Sequence, residues 1–527
     1  MTSRLSSILG HRAWLWACGL WLAACLAFYV GCYQGLFFHQ AQEQLFLLTP
    51  SYVATYFSAP AWLSCLAGDF LTQFYYYRYA GPLILVAALA LVALAARAAL
   101  SRLGAGRLHA LTALIVLAES VLTLHYATRL SSVLSLAGGL ALFAAMPWRG
   151  RPSLSAAVQM LAISLCFWLF GFGAMVLAAL VLADVLMERR QMTLRLIALA
   201  LPVACLGMAR RCYLMELGPM LAYPGACHLV TSPADALTIE KNFRVAAEYQ
   251  FGNLNRVVRM VDADAHHTDV QLFYYNLAMA RRGQLPEAVM RHMPTFLGTL
   301  GRIGPQTPHF VIWGMDELYW ALGDMTFCER AAIMSSVFTR SNRNIFKVRR
   351  LAEVNLVTGD TLAARKYLRL LGHTHVAGRW ADRLLRADSA AMRPYMAKRQ
   401  WINRIDTLRQ TDRAHDILTE LLQSNPDNRL ALDYLLCTDL MAKDLRQFVA
   451  DYLRFGADAW RGRQLPELYQ QAFCLALSVQ KAPPSEWPHY VSDPAIRRRF
   501  DAYCRERGHR KFSDTYWYYF DKSKIRK

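Results

Sequence analysis

The chain has 527 residues, of which 55% are hydrophobic and 18% charged, and its formal net charge is +20. Soluble proteins usually carry about 25% charged residues, and here the deficit is confined to one part. Residues 1–209 hold twelve arginines, no lysine and five acids, whereas residues 210–527 hold the other 46 basic and 33 acidic residues. This division excludes a purely soluble enzyme, a disordered protein and a collagen-like chain. It predicts a transmembrane domain at 1–209 followed by a water-facing domain.

Apolar runs of roughly 20 residues with few charges can cross a bilayer as helices, because a helix satisfies its own backbone hydrogen bonds. The first domain contains seven such runs, which predict seven spans. The fifth and sixth form one stretch that is too long for a single span, and Gly171-Phe172-Gly173 interrupts it, which predicts a tight hairpin. The runs are 13–33, 80–100, 108–124, 130–147, 154–170, 173–187 and 194–209.

The arginines between the spans predict the orientation, because basic residues of short loops stay in the cytoplasm. Alternate connections hold ten arginines against two, which places the N-terminus inside and the C-terminal domain outside. Outside is the periplasm for a bacterial inner-membrane protein, or the lumen for its eukaryotic equivalent. The inner set is Arg4, Arg12, Arg97, Arg102, Arg107, Arg149, Arg151, Arg189, Arg190 and Arg195; the outer set is Arg78 and Arg129.

The first outer loop, residues 34–79, is too apolar for a solvated loop and too interrupted for a span. Thr49-Pro50 is a helix-start signal, Pro60 separates two segments, and Gly81-Pro82 marks the end of the second. The loop therefore predicts two short helices, at about 50–59 and 61–78. Their tyrosines and tryptophan are typical of the headgroup level, so we expect both to lie flat on the outer membrane surface.

A seven-span core with two short helices in a long first outer loop and an external C-terminal domain resembles the C-type membrane glycosyltransferases, over about residues 1–210. The resemblance implies a carboxylate in that loop as base or metal ligand, and a polyprenyl-phosphate sugar donor. Glu43 and Asp69 are the acids available. In such an enzyme, lipid phosphate would be bound by Arg78, Arg129, Arg210 or Arg211. In the alternative interpretation, the two acids are solvated and these arginines only anchor the chain to headgroups.

Glu119 lies inside the third predicted span, where a charge costs roughly 2.5–3.5 kcal/mol. His125 and Arg129 follow at the outer end of the same region. An intramembrane acid is commonly either functional or paired, so Glu119 and His125 are candidate polar site residues. The alternatives are a structural Glu–Arg pair, or a protonated Glu119 bonded to a backbone carbonyl.

After a connector at 210–234, residues 235–527 are predicted to be helical throughout, with glycines between amphipathic stretches. Four of these glycines follow one helix and precede another. The segments 276–288 and 351–365 resemble tetratricopeptide repeats, in which a glycine turns one helix into the next. The resemblance implies an α-solenoid whose groove binds a protein or peptide. The glycines are Gly252, Gly283, Gly323 and Gly359, spaced 31, 40 and 36 residues apart.

Other motifs are weak. The segment 262–269 contains acids and two adjacent histidines that diverge on a helix, so we interpret it as a turn and assign no metal. The cysteines form no CxxC motif, and a Cys212–Cys227 disulfide is permitted but not shown. The basic C-terminal end with the aromatic run 516–520 is interpreted as a solvated surface with a packed aromatic tail. Nucleic acid is excluded as a partner outside the cytoplasm, and membrane lipids are expected.

The segments EQLFLLT at 43–49 and FLTQFYYY at 70–77 resemble an uncharacterised Bacteroidetes-type family of multi-span proteins with a periplasmic helical-repeat domain. The resemblance implies a source and a location, but no mechanism. The sequence thus predicts an all-α protein and leaves two functions. The favoured one is a membrane-anchored scaffold that binds a protein or an envelope polymer, without cofactor. The other is a lipid-linked sugar transferase, which alone would use a divalent metal and an arginine-lined cavity reaching Glu43.

Overall fold

The computed structural model describes residues 2–103, 109–146, 152–188, 192–225, 232–337, 339, 343–404, 413–483 and 485–526. Within these ranges the chain is helical, and its β pairing is limited to one isolated bridge between Phe296 and Arg526. The predicted all-α class is therefore confirmed. Internal contacts divide the chain into a first unit, Met1–Phe243 with Gly372–Arg379, and a second unit, Arg244–Leu371 with Trp380–Lys527.

Each of the seven predicted apolar runs falls on one helix of the first unit, although their lengths differ from the prediction. Shorter helices fill the first loop and the segment before the second unit. The helices are α1 (Thr2–Cys32), α2 (Gln34–Gln42), α3 (Pro50–Ala54), α4 (Trp62–Thr72), α5 (Ala80–Arg102), α6 (His109–Leu122), α7 (Leu130–Ala145), α8 (Pro152–Phe170), α9 (Gly173–Glu188), α10 (Met192–Tyr213), α11 (Leu217–Leu221) and α12 (Pro233–Gln250).

Two helical segments in the described ranges, Ala13–Cys32 and Ala80–Arg102, are long and apolar enough to cross a membrane, against the seven predicted. The apolar helices α6, α7 and α9 have 14, 16 and 16 residues. At about 1.5 Å per residue they measure about 21–24 Å, which is less than a hydrocarbon core of about 30 Å. By length and hydropathy, the structure therefore supports two of the seven predicted spans.

The ends of the apolar helices meet in two groups. In the first group, Tyr33 donates to the Leu124 carbonyl at 3.0 Å and Phe172 N donates to the Tyr223 carbonyl at 2.9 Å. In the second group, Arg102 donates to the Phe143 carbonyl at 3.4 Å, and the ends of α9 and α10 meet through a buried ion pair. Successive apolar helices from α5 to α10 therefore run in alternating directions.

The hairpin predicted at Gly171–Gly173 is present, since α8 ends at Phe170 and α9 begins at Gly173. Gly171 has a φ of +54°, and a Cβ atom there would lie 2.2 Å from the Tyr223 carbonyl oxygen. Only glycine satisfies both the backbone conformation and the close approach. The turn is thus fixed by its fit against the segment that follows α10.

Arg195 was assigned to an inner loop, but its side chain is 5% exposed and bonds Asp184 at 2.6 Å. Gln159, which is fully buried, accepts from Arg195 Nε and Nη2 at 3.0 Å each when its amide oxygen faces the guanidinium. A buried charge needs such partners, because desolvation otherwise costs several kcal/mol. The three residues join α8, α9 and α10 at one end of the unit.

The first loop contains both predicted helices and one that the sequence did not predict. Thr49 caps α3 by accepting from Tyr52 N at 3.4 Å, and a 3₁₀ turn extends α3 to Ser58. A second 3₁₀ turn extends α4 to Tyr76. Gly81-Pro82 lies in the first turn of α5 and does not close the preceding helix. The unpredicted helix is α2, which contains most of the polar stretch 39–44.

The second unit continues as helical pairs. Its helices are α13 (Leu254–Asp262), α14 (Asp269–Arg281), α15 (Leu285–Ala288), α16 (His309–Leu322), α17 (Met325–Val337), α18 (Ile345–Thr358), α19 (Thr361–Gly372), α20 (Gly378–Leu385), α21 (Ser389–Arg399), α22 (Ala414–Ser424), α23 (Arg429–Met441), α24 (Leu445–Asp451), α25 (Ala457–Ala459), α26 (Glu467–Val479), α27 (Trp487–Tyr490), α28 (Pro494–Arg505) and α29 (Tyr516–Lys522).

All four repeated glycines turn one helix into the next, as predicted. They have positive φ angles of +78°, +69°, +86° and +93° at Gly252, Gly283, Gly323 and Gly359. A side chain would strain each of these turns, since left-handed backbone costs an L-residue about 1–2 kcal/mol. The repeated glycines in the sequence therefore indicate local helix–turn–helix geometry.

The arrangement of these pairs is not that of a simple linear array. Helices α14 and α16 pack on α23, and α15 packs on α26, although well over a hundred residues separate them in sequence. In a linear solenoid each repeat contacts only its neighbours. The predicted solenoid is thus not established, because the repeated glycines indicate local turns and carry no information on this long-range packing.

The C-terminal aromatic run is packed, as predicted. Trp517 is fully buried and donates to the Gln471 carbonyl at 2.7 Å, and Tyr516 donates to the Leu440 carbonyl at 3.0 Å. Further on, Arg526 pairs with Asp269 at 2.7 Å. The tail therefore ties the last helices of the second unit to its first ones.

A buried acid pair lies between α23 and α24. Asp439 is 6% exposed, and its carboxyl is hydrogen-bonded to Asp451, which also accepts from His415 at 2.7 Å and from Gln447 at 3.0 Å. Burial chiefly, together with the neighbouring Asp451 and Asp444, raises the pKa of Asp439 to about 9. Asp439 thus keeps its proton at neutral pH and donates it to Asp451.

We expect Asp439→Asn to stabilise the protein at pH 8. In the unfolded chain Asp439 ionises near pH 4, whereas in the folded protein it stays protonated to about pH 9. Its contribution to the free energy of unfolding therefore falls as pH rises across that window, by about 1.4 kcal/mol per unit at most. Asparagine keeps the donor and removes the ionisation. The Tm values of the natural protein and the variant should coincide at pH 4.5, and the variant should have the higher Tm at pH 8. A lower Tm for the variant at pH 8 would contradict a protonated Asp439.

Candidate functional site in the first unit

The N-terminus of α2 is capped by a carboxylate from far along the chain. Gly35 N and Leu36 N donate to the two carboxylate oxygens of Glu240, each at 2.7 Å, and Glu240 is 3% exposed. The residue before the helix, Tyr33, provides no side-chain cap. A carboxylate at this position satisfies two unpaired amides and complements the positive end of the helix dipole. Glu240 therefore fixes where the first loop begins.

An open cleft of about 370 Å³ lies beside this cap. Its walls are mainly aromatic and aliphatic, with His125 and two acids among them, and neither an arginine nor Glu43 lines it. His125, a predicted site residue, stacks on Tyr126 with ring centroids 4.8 Å apart. The lining residues are Tyr33, Leu36, Leu124, His125, Tyr126, Asp235, Ala236, Ile239, Glu240 and Phe243.

Glu43, the first predicted catalytic acid, lies against a buried histidine. Its Oε1 atom is 3.9 Å from Nε2 of His39, and its side chain is 28% exposed. His39 is 4% exposed and stacks on Phe243 with centroids 3.8 Å apart and an interplanar angle of 12°. The acid is thus only partly solvated, and the imidazole beside it is held by an aromatic ring.

Asp69, the second predicted acid, is engaged by its own loop. Tyr56 donates its hydroxyl to Asp69 Oδ2 at 2.7 Å, and Tyr52 lies 3.1 Å from the Tyr56 oxygen. Gln44 donates to the Asp69 carbonyl at 3.0 Å. Burial raises the pKa of Tyr56 well above its usual value, and Asp69 raises it further. The tyrosine hydroxyl therefore keeps its proton and occupies one oxygen of the carboxylate.

Arg129 and Asp69 act on the same buried pair. The Cys65 thiol and the Tyr223 hydroxyl are hydrogen-bonded, and burial raises the pKa of Cys65 to about 12. Asp69 raises that pKa further, while Arg129 opposes it. The structure thus brings one predicted acid and one predicted phosphate-binding arginine into a single cluster, formed by Tyr56, Cys65, Asp69, Arg129 and Tyr223.

The other predicted residues lie outside this cluster. Arg78, Arg210 and Arg211 are exposed, and the Arg78 guanidinium lies 5.5 Å from the centroid of the Tyr79 ring. Glu119 is 8% exposed within α6, and no basic side chain in the described ranges pairs with it. The predicted alternative of a Glu119–Arg pair is therefore not observed.

The described residues contain no group of three or more His, Cys, Asp or Glu side chains arranged to hold a metal ion. Asp262, from the acidic segment noted in the sequence, pairs with Arg291 at 3.3 Å and with His292 at 3.1 Å. That segment connects α13 to α14, as a turn should. Cys212 is a free, exposed thiol, and Cys227 lies outside the described residues.

Sequence reasoning missed four residues that shape this region: Glu240, Tyr56, Tyr223 and His39. Tyr52 and Tyr56 precede Asp69, which follows Tyr56 by thirteen residues, and this spacing does not predict the hydrogen bond between Tyr56 and Asp69. Glu240 is one of several acids in an amphipathic helix, and only the fold reveals that it reaches α2. All four act through contacts between separate segments, which motif spacing does not encode.

We expect Glu240→Gln to lower stability markedly. The glutamine amide would present a donor to one of two backbone amides, and the charge that complements the helix dipole would be lost. Hydrogen bonds to charged groups contribute about 1.5–3 kcal/mol each, so we expect a loss of at least about 2 kcal/mol in the free energy of unfolding. Glu248→Gln, which affects a half-exposed ion pair with Arg256, is the matched control. Equal, small losses in thermal unfolding for both variants would contradict the capping role.

A model of a family of unknown function (DUF6057) matches the chain over residues 11–523. No curated protein and no solved structure gives a significant match. The match runs through the helices of both units, so it concerns the chain as a whole. It also confirms the prediction of an uncharacterised family. With nearly the full length matched, the chain belongs to this family of unknown function.

Proposed function

We propose that the protein is an integral membrane protein of the bacterial inner membrane, with its N-terminus in the cytoplasm and seven membrane-crossing helices. Its helical C-terminal part lies in the periplasm and acts as a scaffold that binds a protein or an envelope polymer. The observation that carries the membrane topology is the Glu240 cap on α2. The scaffold role is supported by the way the candidate acids are engaged.

The cap supports the topology through a parity argument. Residues 35, 36 and 240 are in direct contact, so they must lie on the same side of the membrane. The number of crossings between them is then even. Helix α5 satisfies the length and hydropathy requirements for one crossing, so at least one shorter apolar helix must cross as well. Six crossings, by α5 to α10, satisfy the same condition.

Other contacts obey the same parity. Leu48 N donates to the His373 carbonyl at 2.8 Å, which places the first loop and residue 373 on one side. The contacts of Tyr33 with Leu124 and of Phe172 with Tyr223 require even numbers of crossings between their partners, and seven spans provide them. Helices shorter than the hydrocarbon core can cross where the bilayer thins locally.

The state of the two acids supports a scaffold more than an enzyme. A transferase needs a carboxylate free to activate an acceptor or hold a metal, whereas Asp69 accepts from Tyr56 and Glu43 lies against His39. Among the described residues, no arginine lines the cleft beside α2 to hold a lipid phosphate. The second unit supports a binding role through its helical pairs, which commonly present surfaces to protein partners.

A polyprenyl-phosphate sugar transferase is the second candidate, and one observation favours it. Asp69 and Arg129 act on the same buried thiol and hydroxyl, so an acid and a cation lie close together in the outer loop region. In such an enzyme Asp69 or Glu43 would be the base, or the ligand of a divalent metal, and Arg129 would bind phosphate.

The topology predicts that the C-terminal part is accessible from the periplasm. Cys212 and Cys504 are exposed, whereas Cys437 and Cys474 are buried. In intact cells with only the outer membrane permeabilised, a charged maleimide should label the two exposed cysteines and leave the two buried ones unmodified. If α1 and α5 were the only crossings, the C-terminal part would be cytoplasmic. Labelling of Cys504 that requires lysis of the inner membrane would therefore contradict the seven-span topology.

The scaffold and enzyme candidates differ in their response to loss of the acids. Complementation of a deletion strain by Glu43→Gln and Asp69→Asn should be complete for a scaffold. Loss of a positioned general base typically costs about 10²–10⁴ in rate, so an enzyme should lose complementation. Glu216→Gln, at an exposed acid of the same unit, is the control, with membrane levels checked for all variants. Loss of function by Glu43→Gln or Asp69→Asn at normal protein levels would reverse the ranking of the two candidates.

A further inference from the structure

A cationic and aromatic surface of the second unit is formed at the C-terminal ends of α12, α14 and α16 and on α21. Tyr249, Arg281 and Trp320 lie near the C-terminal ends of α12, α14 and α16, just before the repeated glycines. Arg281 lies over the Tyr249 ring, 5.6 Å from its centroid. Lys398 of α21 lies 4.9 Å from the centroid of Trp320, with its ammonium over the ring. The helix–turn–helix pairs thus bring together cations that are far apart in sequence.

The most buried cation of this region is already neutralised. Arg350 bonds Glu317 at 2.7 Å and Glu353 at 2.8 Å, and its Nε lies 3.5 Å from Asp316. Asp316 also pairs with Lys347 at 2.5 Å. Arg349 bonds the second carboxylate oxygen of Glu353 at 3.1 Å. Three carboxylates therefore face three bases, and the network carries no excess negative charge for a neighbour.

Lys398 is that neighbour, and it is not neutralised. In the part of the chain that the structure describes, it has no acidic partner, and Arg350 and Arg281 both lie close enough to disfavour its charge. Burial chiefly, together with the two arginines, lowers the pKa of its ammonium group to about 8. A desolvated, unpaired cation costs stability. The side chain and the Trp320 ring both remain partly accessible to solvent, so an anion can reach them.

We propose that Lys398 and Arg281 bind the carboxylate side chains of an acidic peptide segment in a partner protein. This inference rests on the proposed scaffold role and names the chemistry of the partner. A carboxylate suits this surface because its two oxygens can pair with both cations, and Lys398 is held in place over the Trp320 ring, over which Arg350 also lies at 4.5 Å. A bound carboxylate also supplies a counter-charge that no described residue provides to Lys398.

The test uses the full chain, purified in detergent at low salt, and a fluorescent hexaglutamate peptide as the probe. We expect binding by the natural protein, and affinity at least about tenfold lower for Lys398→Met, because a hydrogen bond to a charged group is lost. Lys366→Met, the same change at an exposed helix position, should bind as the natural protein does. Without peptide, Lys398→Met should unfold at the same or a higher temperature, since it removes an unpaired cation.

The proposal would be overturned if hexaglutamate did not bind the natural protein, or if it bound Lys398→Met equally well. A lower Tm of peptide-free Lys398→Met would also overturn it. So would competition by inorganic phosphate as effective as that by the peptide at equal concentration, because this would indicate a site for small anions. The binding assay depends on this surface alone, whereas the deletion-strain assay tests the scaffold role. The two can therefore fail separately. Loss of hexaglutamate binding and of complementation by Lys398→Met together would support both.

Discussion

The contact on which the first unit depends is the carboxylate of Glu240 at the N-terminus of α2. It joins residues 205 positions apart in sequence and leaves neither backbone amide without a partner. The same helix α12 carries Phe243, which packs on His39, and His39 in turn lies beside Glu43. The position of the predicted acid is therefore set by a residue near the end of the unit, and the proposed membrane topology depends on the same contact.

Local features of the fold were predictable, because their signals lie within one turn of the helix they affect. Thr49-Pro50 begins a helix, Gly171 makes a hairpin, and Gly323, like its three counterparts, reverses the chain. What the sequence could not provide was which helix packs on which. The pairing of Cys65 with Tyr223 and the packing of α14 on α23 depend on shape and burial across more than a hundred residues.

The candidate site was predictable to a similar extent. Residue type and loop position identified Asp69 and Arg129, which the structure brings to one cluster, but the same reasoning also selected the exposed Arg78. Elsewhere buried charges occur in satisfied groups, such as Asp184 with Arg195 and Asp316 with Lys347. Such groups often specify one packing at little gain in stability. Lys398 and Asp439 depart from this pattern: no acid among the described residues pairs with Lys398, and Asp439 retains its proton.

The Glu240 cap also has a consequence for synthesis. Chains elongate at roughly 5–20 residues per second, so the amides of Gly35 and Leu36 emerge about 10–40 s before the carboxylate that they bind. During that interval the first loop has left the ribosome without its partner, and in the proposed topology six further helices must enter the bilayer first. The loop would meanwhile be open to periplasmic proteases and chaperones. Completion of its fold would then act as a checkpoint, reached only by chains whose membrane helices have all been inserted in the correct order.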